Sequence, residues 1–176
     1  MFARRSGTAF VAQSLTPALD RALMLIRHHA EIRGVALEIE PLGEDDTLVC
    51  DAGQIEQALV ALLMNAVEAM PDGGTLRVRV AGDADALTIL ISDTGAGIAP
   101  EVRAHLFEPF VTTKTESAGV GLGLAVVYGI VQRHQGRIDV ESEAQWGTTF
   151  RVVLPRRHSP AAAAAEPRDL TTGAPA

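Results

Sequence analysis

The stretch that most constrains this chain is the apolar run Leu87 to Ser92, closed by Asp93 and followed by Thr94-Gly95-Ala96-Gly97-Ile98. A short aliphatic, β-branched run that stops at a glycine-rich exit reads as a buried, central strand. Such a strand requires a sheet around it and a layer to cover it. The exit also carries chemistry. The Asp93 carboxylate can accept from an exocyclic amine, and Gly95 and Gly97 let the backbone approach a flat ring with no Cβ in the way. Turn geometry alone also produces D-x-G-x-G at strand ends, so this block needs support from elsewhere in the chain.

The neighbouring segments supply the sheet and its cover. Thr75 to Ala81 alternates, with Leu76, Val78 and Val80 on one face and Arg77 and Arg79 on the other. Val35 to Glu40 and Thr47 to Cys50 read as short strands, and Arg137 to Glu141 with Thr148 to Leu154 as a closing hairpin. Leu15 to Arg33 is expected to be a helix, with Leu19, Ala22, Leu23, Ile26 and Ala30 on one face and Thr16-Pro17 as cap and first-turn proline. From Gln54 to Met70, Ile55, Leu59, Leu62, Leu63, Ala66 and Met70 recur at helical spacing. Asp51 and Gln54 form a capping-box pattern before that helix, and Pro71-Asp72-Gly73-Gly74 stops it. Helices on one face of a mixed sheet make a two-layer α/β sandwich. From Arg156 to Ala176 the alanine run and scattered prolines have no core-forming pattern, and a disordered tail is expected.

Three further blocks carry candidate chemistry. Asn65 and Glu68 lie one turn apart on the same helix face. Asn65 is either a satisfied polar residue near the helix end or a carbonyl oxygen for a hard cation such as Mg²⁺, which keeps phosphates and waters in its shell. Phe107-Glu108-Pro109-Phe110-Val111-Thr112-Thr113-Lys114 is either a turn with an apolar anchor or a loop offering hydroxyl and ammonium donors to phosphates. Gly119-Val120-Gly121-Leu122-Gly123-Leu124 opens the apolar helix Leu124 to Val131 and would expose N–H groups at the positive end of its dipole. It is not a dinucleotide fingerprint, because Val111 to Ala118 before it is loop-like rather than a strand.

In order and spacing, these blocks and Gly147-Thr148-Thr149-Phe150 resemble the ATP-binding catalytic domain of bacterial sensor histidine kinases. That domain belongs to the superfamily shared with gyrase, a heat-shock chaperone and MutL. The resemblance covers about Leu48 to Leu154, and Phe107 to Lys114 is most similar to the nitrogen-regulation subgroup. It implies ATP and Mg²⁺ as ligands. Asn65 would bind the metal between the phosphates, with Glu68 on the same face able in principle to assist. Asp93 would accept from the adenine amino group, partly through water, and Gly95, Gly97 and Ile98 would admit the base. Phe107 would anchor a mobile ATP lid, Thr94 to Val120, with Thr112, Thr113 and Lys114 near the phosphates. Gly119, Val120, Gly121, Leu122, Gly123 and Leu124 would form the lid hinge and the phosphate-facing helix start. Asn65 and Lys114 are the residues that transfer chemistry would rest on.

The same resemblance sets expectations for the missing parts. Ala61 stands four residues before Asn65, where hydrolytic and serine-phosphorylating relatives carry a glutamate base, and alanine takes no proton. A histidine acceptor needs less help, since neutral imidazole already offers a lone pair. The expected reaction is therefore transfer of the γ-phosphoryl group to a histidine. An ATP-hydrolysing switch and a nucleotide-binding module without transfer stand as alternatives. None of His28, His29, His105, His134 or His158 lies in an acceptor-type sequence, and His134 reads as a cap whose cation suits a helix dipole. The expected partners are a dimeric phosphoacceptor-histidine hairpin and a response regulator receiver domain. Residues 1–14 read as a linker or remnant of that hairpin, 15–155 as the catalytic domain and 156–176 as tail; a piece of a longer sensor is expected, with a stand-alone domain as the alternative.

Composition narrows the rest. With 47% hydrophobic residues in 176, a core is available for one domain. A net charge of −7 disfavours nucleic acid as a partner. The single cysteine, Cys50, excludes a disulfide framework and is expected to be buried. No apolar run is long enough to span a bilayer, so no membrane contact is expected of this segment, and a cytoplasmic location is.

Overall fold

The computed structural model describes residues 10–40, 43, 45–108 and 123–157. Its elements follow as β1 (Val11–Ser14), α1 (Thr16–Ile32), β2 (Val35–Ile39), β3 (Thr47–Cys50), α2 (Ala52–Glu68), β4 (Gly74–Gly82), β5 (Ala86–Asp93), α3 (Pro100–Arg103), α4 (Gly123–Arg133), β6 (Arg137–Glu143) and β7 (Gly147–Pro155). Five strands form one sheet in the order β2-β4-β5-β7-β6, with β2 parallel to β4 and the other pairs antiparallel. The sheet is therefore mixed, as expected. A second, two-stranded sheet pairs β1 with β3.

Side-chain alternation explains the layers. Leu76, Val78 and Val80 of β4, Leu87, Ile89 and Ile91 of β5, and Phe150, Val152 and Leu154 of β7 share a buried core with Leu19, Ile26, Leu62, Leu63, Val127 and Val131 from the helices. α1 packs on α2, and α2 packs on α4, β4 and β5. The opposite sheet face carries polar pairs: Arg77 with Glu38 at 2.6 Å and Arg79 with Glu40 at 3.2 Å. β5 is central in position, yet Thr88, Leu90 and Ser92 are only half-buried, because the helices cover one face.

The helix starts differ from the sequence expectation in an instructive way. Leu15, not Thr16, is the N-cap of α1, and Thr16 makes no cap bond there. The Asp46 carboxylate takes that role from a distant loop. Its Oδ2 accepts from Thr16 N–H at 2.8 Å, Thr16 Oγ1 at 2.6 Å and Ser14 Oγ at 2.6 Å. At α2, Asp51 caps Gln54 N–H as expected, at 3.1 Å. The return half of the box is absent: Gln54 Nε2 donates to Asp51 Oδ2, while the Asp51 N–H donates to His134 Nε2 at 3.1 Å. His134 is buried, and its Nδ1 lies 2.8 Å from the carbonyl of Ile130. An imidazole that accepts at Nε2 and donates at Nδ1 is neutral. His134 is thus a buried link between α4 and α2 rather than a cationic cap.

The domain edges also move. Residues 11–14, expected as a linker or hairpin remnant, form a strand whose Gln13 side chain also donates to the carbonyl of Cys50 at 2.9 Å. Arg156, expected to begin the tail, is tied into the fold. Its guanidinium donates to the carbonyls of Asp83 (2.6 Å), Thr47 (2.8 Å) and Asp45 (3.0 Å), and its own carbonyl accepts from Val49 N–H. Cys50 is buried, and desolvation raises its thiol pKa above the ordinary value. Among the described residues, no helix is long and apolar enough to cross a membrane.

Candidate nucleotide site

The site is organised by the C-terminal end of β5. Asp93 closes the strand on its buried face, opposite Thr148 of β7, and is only 7% exposed. Alternation places it there: it continues the row Leu87, Ile89, Ile91, so the residue that ends the apolar run must point towards the helices. Its Oδ1 accepts from Gly95 N–H at 2.9 Å. Burial pushes the Asp93 carboxyl above its ordinary value of 3.8, against the backbone N–H groups of Gly95 and Thr148, which favour the charge. A buried acceptor whose negative charge is held by backbone dipoles suits a ligand that brings a hydrogen-bond donor.

The loop after Asp93 is clamped on two sides. Ala96 N–H donates to the carbonyl of Ala69, just past α2, and Gln145 N–H donates to the carbonyl of Ala96 at 2.8 Å. A Cβ on Gly95 would meet the Ala69 carbonyl, and one on Gly97, where φ is +74°, would meet the carbonyl of Glu143. Both glycines are therefore required by backbone packed against backbone, which is a different reason from the approach of a flat ring. Thr94 Oγ1 accepts from Thr75 N–H at 3.0 Å and lies 3.6 Å from Met70 Sδ. Through these contacts, the last turn of α2 and the Asp93 loop form one wall.

Asn65 and Glu68 are half-buried on that last turn, and the Asn65 carbonyl receives Ala69 N–H at 3.0 Å. The Glu68 carbonyl lies 3.4 Å from Arg33 Nη1. Ala61, one turn earlier, is half-buried and packs on the core. Ile98 is half-buried, and its N–H donates to Ser142 Oγ at 2.8 Å. Phe107 is half-buried against the core and stacks on Tyr128 of α4, with ring centroids 5.6 Å apart and planes 29° apart. Of the expected lid, residues 94–108 include α3, and Ile98, Val102, Leu106 and Phe107 pack on the core. Gly123 is the exposed first residue of α4, with nothing among the described residues within 4 Å of where a Cβ would stand, and Leu124 is half-buried against the core. Thr112, Thr113, Lys114, Gly119, Val120, Gly121 and Leu122 lie outside the described residues.

A cavity of about 380 Å³ opens beside Asp93, lined also by Arg103, Ser142, Trp146, Thr148 and Thr149. Asn65, Glu68, Gly95, Gly97 and Ile98 are not among its lining residues, and sequence reasoning missed Arg103 and Ser142, which are. Ser142 sits in an unremarkable polar strand, and only its register opposite Thr148 brings it here. Among the described residues, no cluster of three His, Cys, Asp or Glu side chains is placed to hold a metal. Asn65 and Glu68 would offer a cation one or two protein oxygens. Mg²⁺ tolerates that when phosphates and waters complete its shell.

Comparison with known proteins places this geometry. Residues 50–158 match the family described as histidine kinase-, DNA gyrase B-, and HSP90-like ATPase. Sporulation kinase E of Bacillus subtilis is 34% identical over 160 residues, covering 90% of this chain and 21% of that kinase. The chain spans about a fifth of the length of the curated relatives it matches first. A mycobacterial sensor histidine kinase, MprB, superposes with a TM-score of 0.71 at 30% identity, covering 84% of this chain and 98% of that one. Full-length ShkA in complex with AMPPNP superposes with a TM-score of 0.70 at 29% identity, covering 87% of this chain and 32% of that one. The sandwich, the buried Asp93 at the strand end and these matches together make the chain a member of the histidine kinase-, gyrase B- and HSP90-like ATPase family, as an ATP-binding catalytic domain of the sensor histidine kinase type.

Proposed function

We propose that this domain binds ATP with Mg²⁺ and transfers the γ-phosphoryl group to a histidine on a separate, dimeric helical hairpin, from which a response regulator receiver domain is phosphorylated. The observation that carries the reading is the Asp93 carboxylate, buried at a strand end beside a cavity and held by the backbone N–H groups of Gly95 and Thr148. In this reading Asp93 accepts from the adenine amino group, directly and through water. Gly95, Gly97 and Ile98 hold the loop against which the base lies. Asn65 supplies an oxygen to Mg²⁺, with Glu68 one turn away. When bound, the ion neutralises charge on the phosphates. Lys114, Thr112 and Thr113 serve the outer phosphates, and the start of α4 at Gly123 offers them its first N–H groups, which have no partner within the helix. Catalysis is positioning and charge stabilisation. Ala61 offers no base for water, which favours a histidine acceptor over hydrolysis. The parent protein would hold this domain on the cytoplasmic side.

The test is transfer to a supplied acceptor. The chain is incubated with γ-labelled ATP, Mg²⁺ and a phosphoacceptor hairpin from a relative. Acid-labile label on the hairpin, absent when Asn65→Ala replaces the natural chain, is the expected result. ATP binding without label on any hairpin favours a module without transfer, and steady hydrolysis at enzyme-like rates favours the switch.

A further inference from the structure

Ser142 makes an unusual set of contacts for a strand serine at the wall of this cavity. Its Oγ lies 2.8 Å from Ile98 N, 3.1 Å from the Gly147 carbonyl and 2.8 Å from Thr148 Oγ1. Its carbonyl also accepts from Arg103 Nη1 at 3.0 Å, which fixes β6 at this point. The three Oγ contacts can be assigned by counting protons. An amide N–H only donates, and a carbonyl only accepts. Ser142 has one proton, and if it serves the Gly147 carbonyl, Thr148 must donate to Ser142. This is the only arrangement that forms all three bonds. It uses both Ser142 lone pairs and its proton, and it consumes the Thr148 proton.

We infer that Ser142 is a positioning residue that fixes the Thr148 hydroxyl as a pure acceptor, so that Asp93 and Thr148 face the ligand as a pair of acceptors and select a base carrying an amino group over one carrying a keto group. Thr148 is 5% exposed, stands opposite Asp93 in the β5–β7 register and lines the same cavity. An amino group, or a water that it holds, satisfies both acceptors. A keto oxygen meets two acceptors and no donor, and buried acceptors left facing each other are costly. Without Ser142 Oγ the Thr148 proton is released and can turn to meet a keto oxygen. The inference rests on the nucleotide reading and adds the selectivity device.

The experiment compares ADP with inosine diphosphate, which exchanges the amino group for a keto group, by calorimetry on the full chain. The natural chain prefers ADP. Ser142→Ala lowers the ADP-to-inosine-diphosphate affinity ratio by about three- to tenfold, the worth of roughly one hydrogen bond. Ser142→Thr keeps the hydroxyl and restores the ratio. Thr148→Val, which removes the acceptor itself, lowers the ratio as well and decides the matter if Ser142→Ala does not fold. A purely structural Ser142 would weaken both nucleotides alike, and an unchanged ratio in Ser142→Ala, or in Thr148→Val where the alanine variant is unfolded, overturns the assignment. If the natural chain binds neither nucleotide, the nucleotide reading itself fails, and with it this one.

Discussion

β5 has a cavity at each end, of about 390 Å³ near Ala86 and about 380 Å³ near Asp93, and the acids around them are set in opposite ways. At the Ala86 end, hydrogen bonds match every acid that shifts. Burial pushes Asp46 up, but the Ser14 and Thr16 hydroxyls and Thr16 N–H outweigh it, and the net pKa is lowered. The N–H groups of Asp85 and Ala86 lower Asp83. Arg156 closes the rim through three carbonyls. At the Asp93 end the balance reverses, and burial leaves the carboxyl raised. The cavity near Ala86 is thus a structural corner whose shifted acids are matched by hydrogen bonds. The other holds an acceptor that burial leaves under-solvated, which fits the ligand-binding role proposed for Asp93.

The largest effect should come from the clamp at the Asp93 end. Gly97→Ala places a Cβ at φ +74° into the Glu143 carbonyl. The left-handed backbone and the forced displacement together should cost on the order of 2–4 kcal/mol. Thermal unfolding should show a large fall, with nucleotide binding lost in parallel. A Gly97→Ala chain of natural stability would mean that the loop is not clamped between Ala69 and the β6–β7 turn.

Asp93→Asn should divide affinity from stability. Loss of the charged acceptor should weaken ATP and ADP alike by roughly 1.5–3 kcal/mol. Stability without ligand should move the other way. A carboxyl raised in the folded state binds its proton more tightly there than in the unfolded chain, so it lowers stability as pH rises above about 3.8. Relative to the natural chain, Asp93→Asn should gain stability from pH 4 towards pH 7 and show no difference below pH 3.8. A constant offset across that range would show that the carboxylate is not under strain.

Much of the architecture is legible because it is periodic. Leu76, Val78 and Val80 against Arg77 and Arg79 give both the strand and its buried face, and Asp93 stands out because it closes an apolar run. What stayed hidden rests on partners remote in sequence. Ile98 meets Ser142 across 44 residues, Thr16 meets Asp46 across 30 and Asp51 meets His134 across 83. Ser142 and Asp46 have ordinary local contexts, and the contexts of Thr16, Asp51 and His134 point to local caps, so no window of sequence shows these pairings. Arg156 was placed in the tail because the alanines and prolines after it carry no pattern, whereas its anchoring carbonyl at Thr47 lies 109 residues away. β1 is short and only partly apolar, and it exists because β3 offers an edge.

The Ala86 end should tolerate less loss of matching than its distance from the chemistry suggests. Arg156→Ala leaves the carbonyls of Thr47, Asp45 and Asp83 without this donor, and its side chain is only 13% exposed. A loss of roughly 1–3 kcal/mol is expected. Nucleotide affinity measured below the melting range should not change. A drop in affinity without a drop in melting temperature would tie this corner to the site and undo the contrast between the two ends.

The smallest effect should be the most diagnostic, because it has the opposite sign to that of Asp93. Asp46 is held below its ordinary 3.8 by the net of its hydrogen bonds, so it stabilises the fold above that value, and its contribution is lost as pH falls through the lowered pKa. Asp46→Asn should therefore be less stable than the natural chain at pH 7, and the gap should close as pH falls below about 4. The group is half-buried at the surface, and solvent screening keeps the effect to about 1 kcal/mol. Melting curves of Asp46→Asn and Asp93→Asn from pH 3 to pH 7 should diverge in opposite directions from the natural chain as pH rises. If both variants lose stability at pH 7, Asp93 is a matched structural acid like Asp46, and the two ends of β5 do not differ in the way that a ligand site at Asp93 requires.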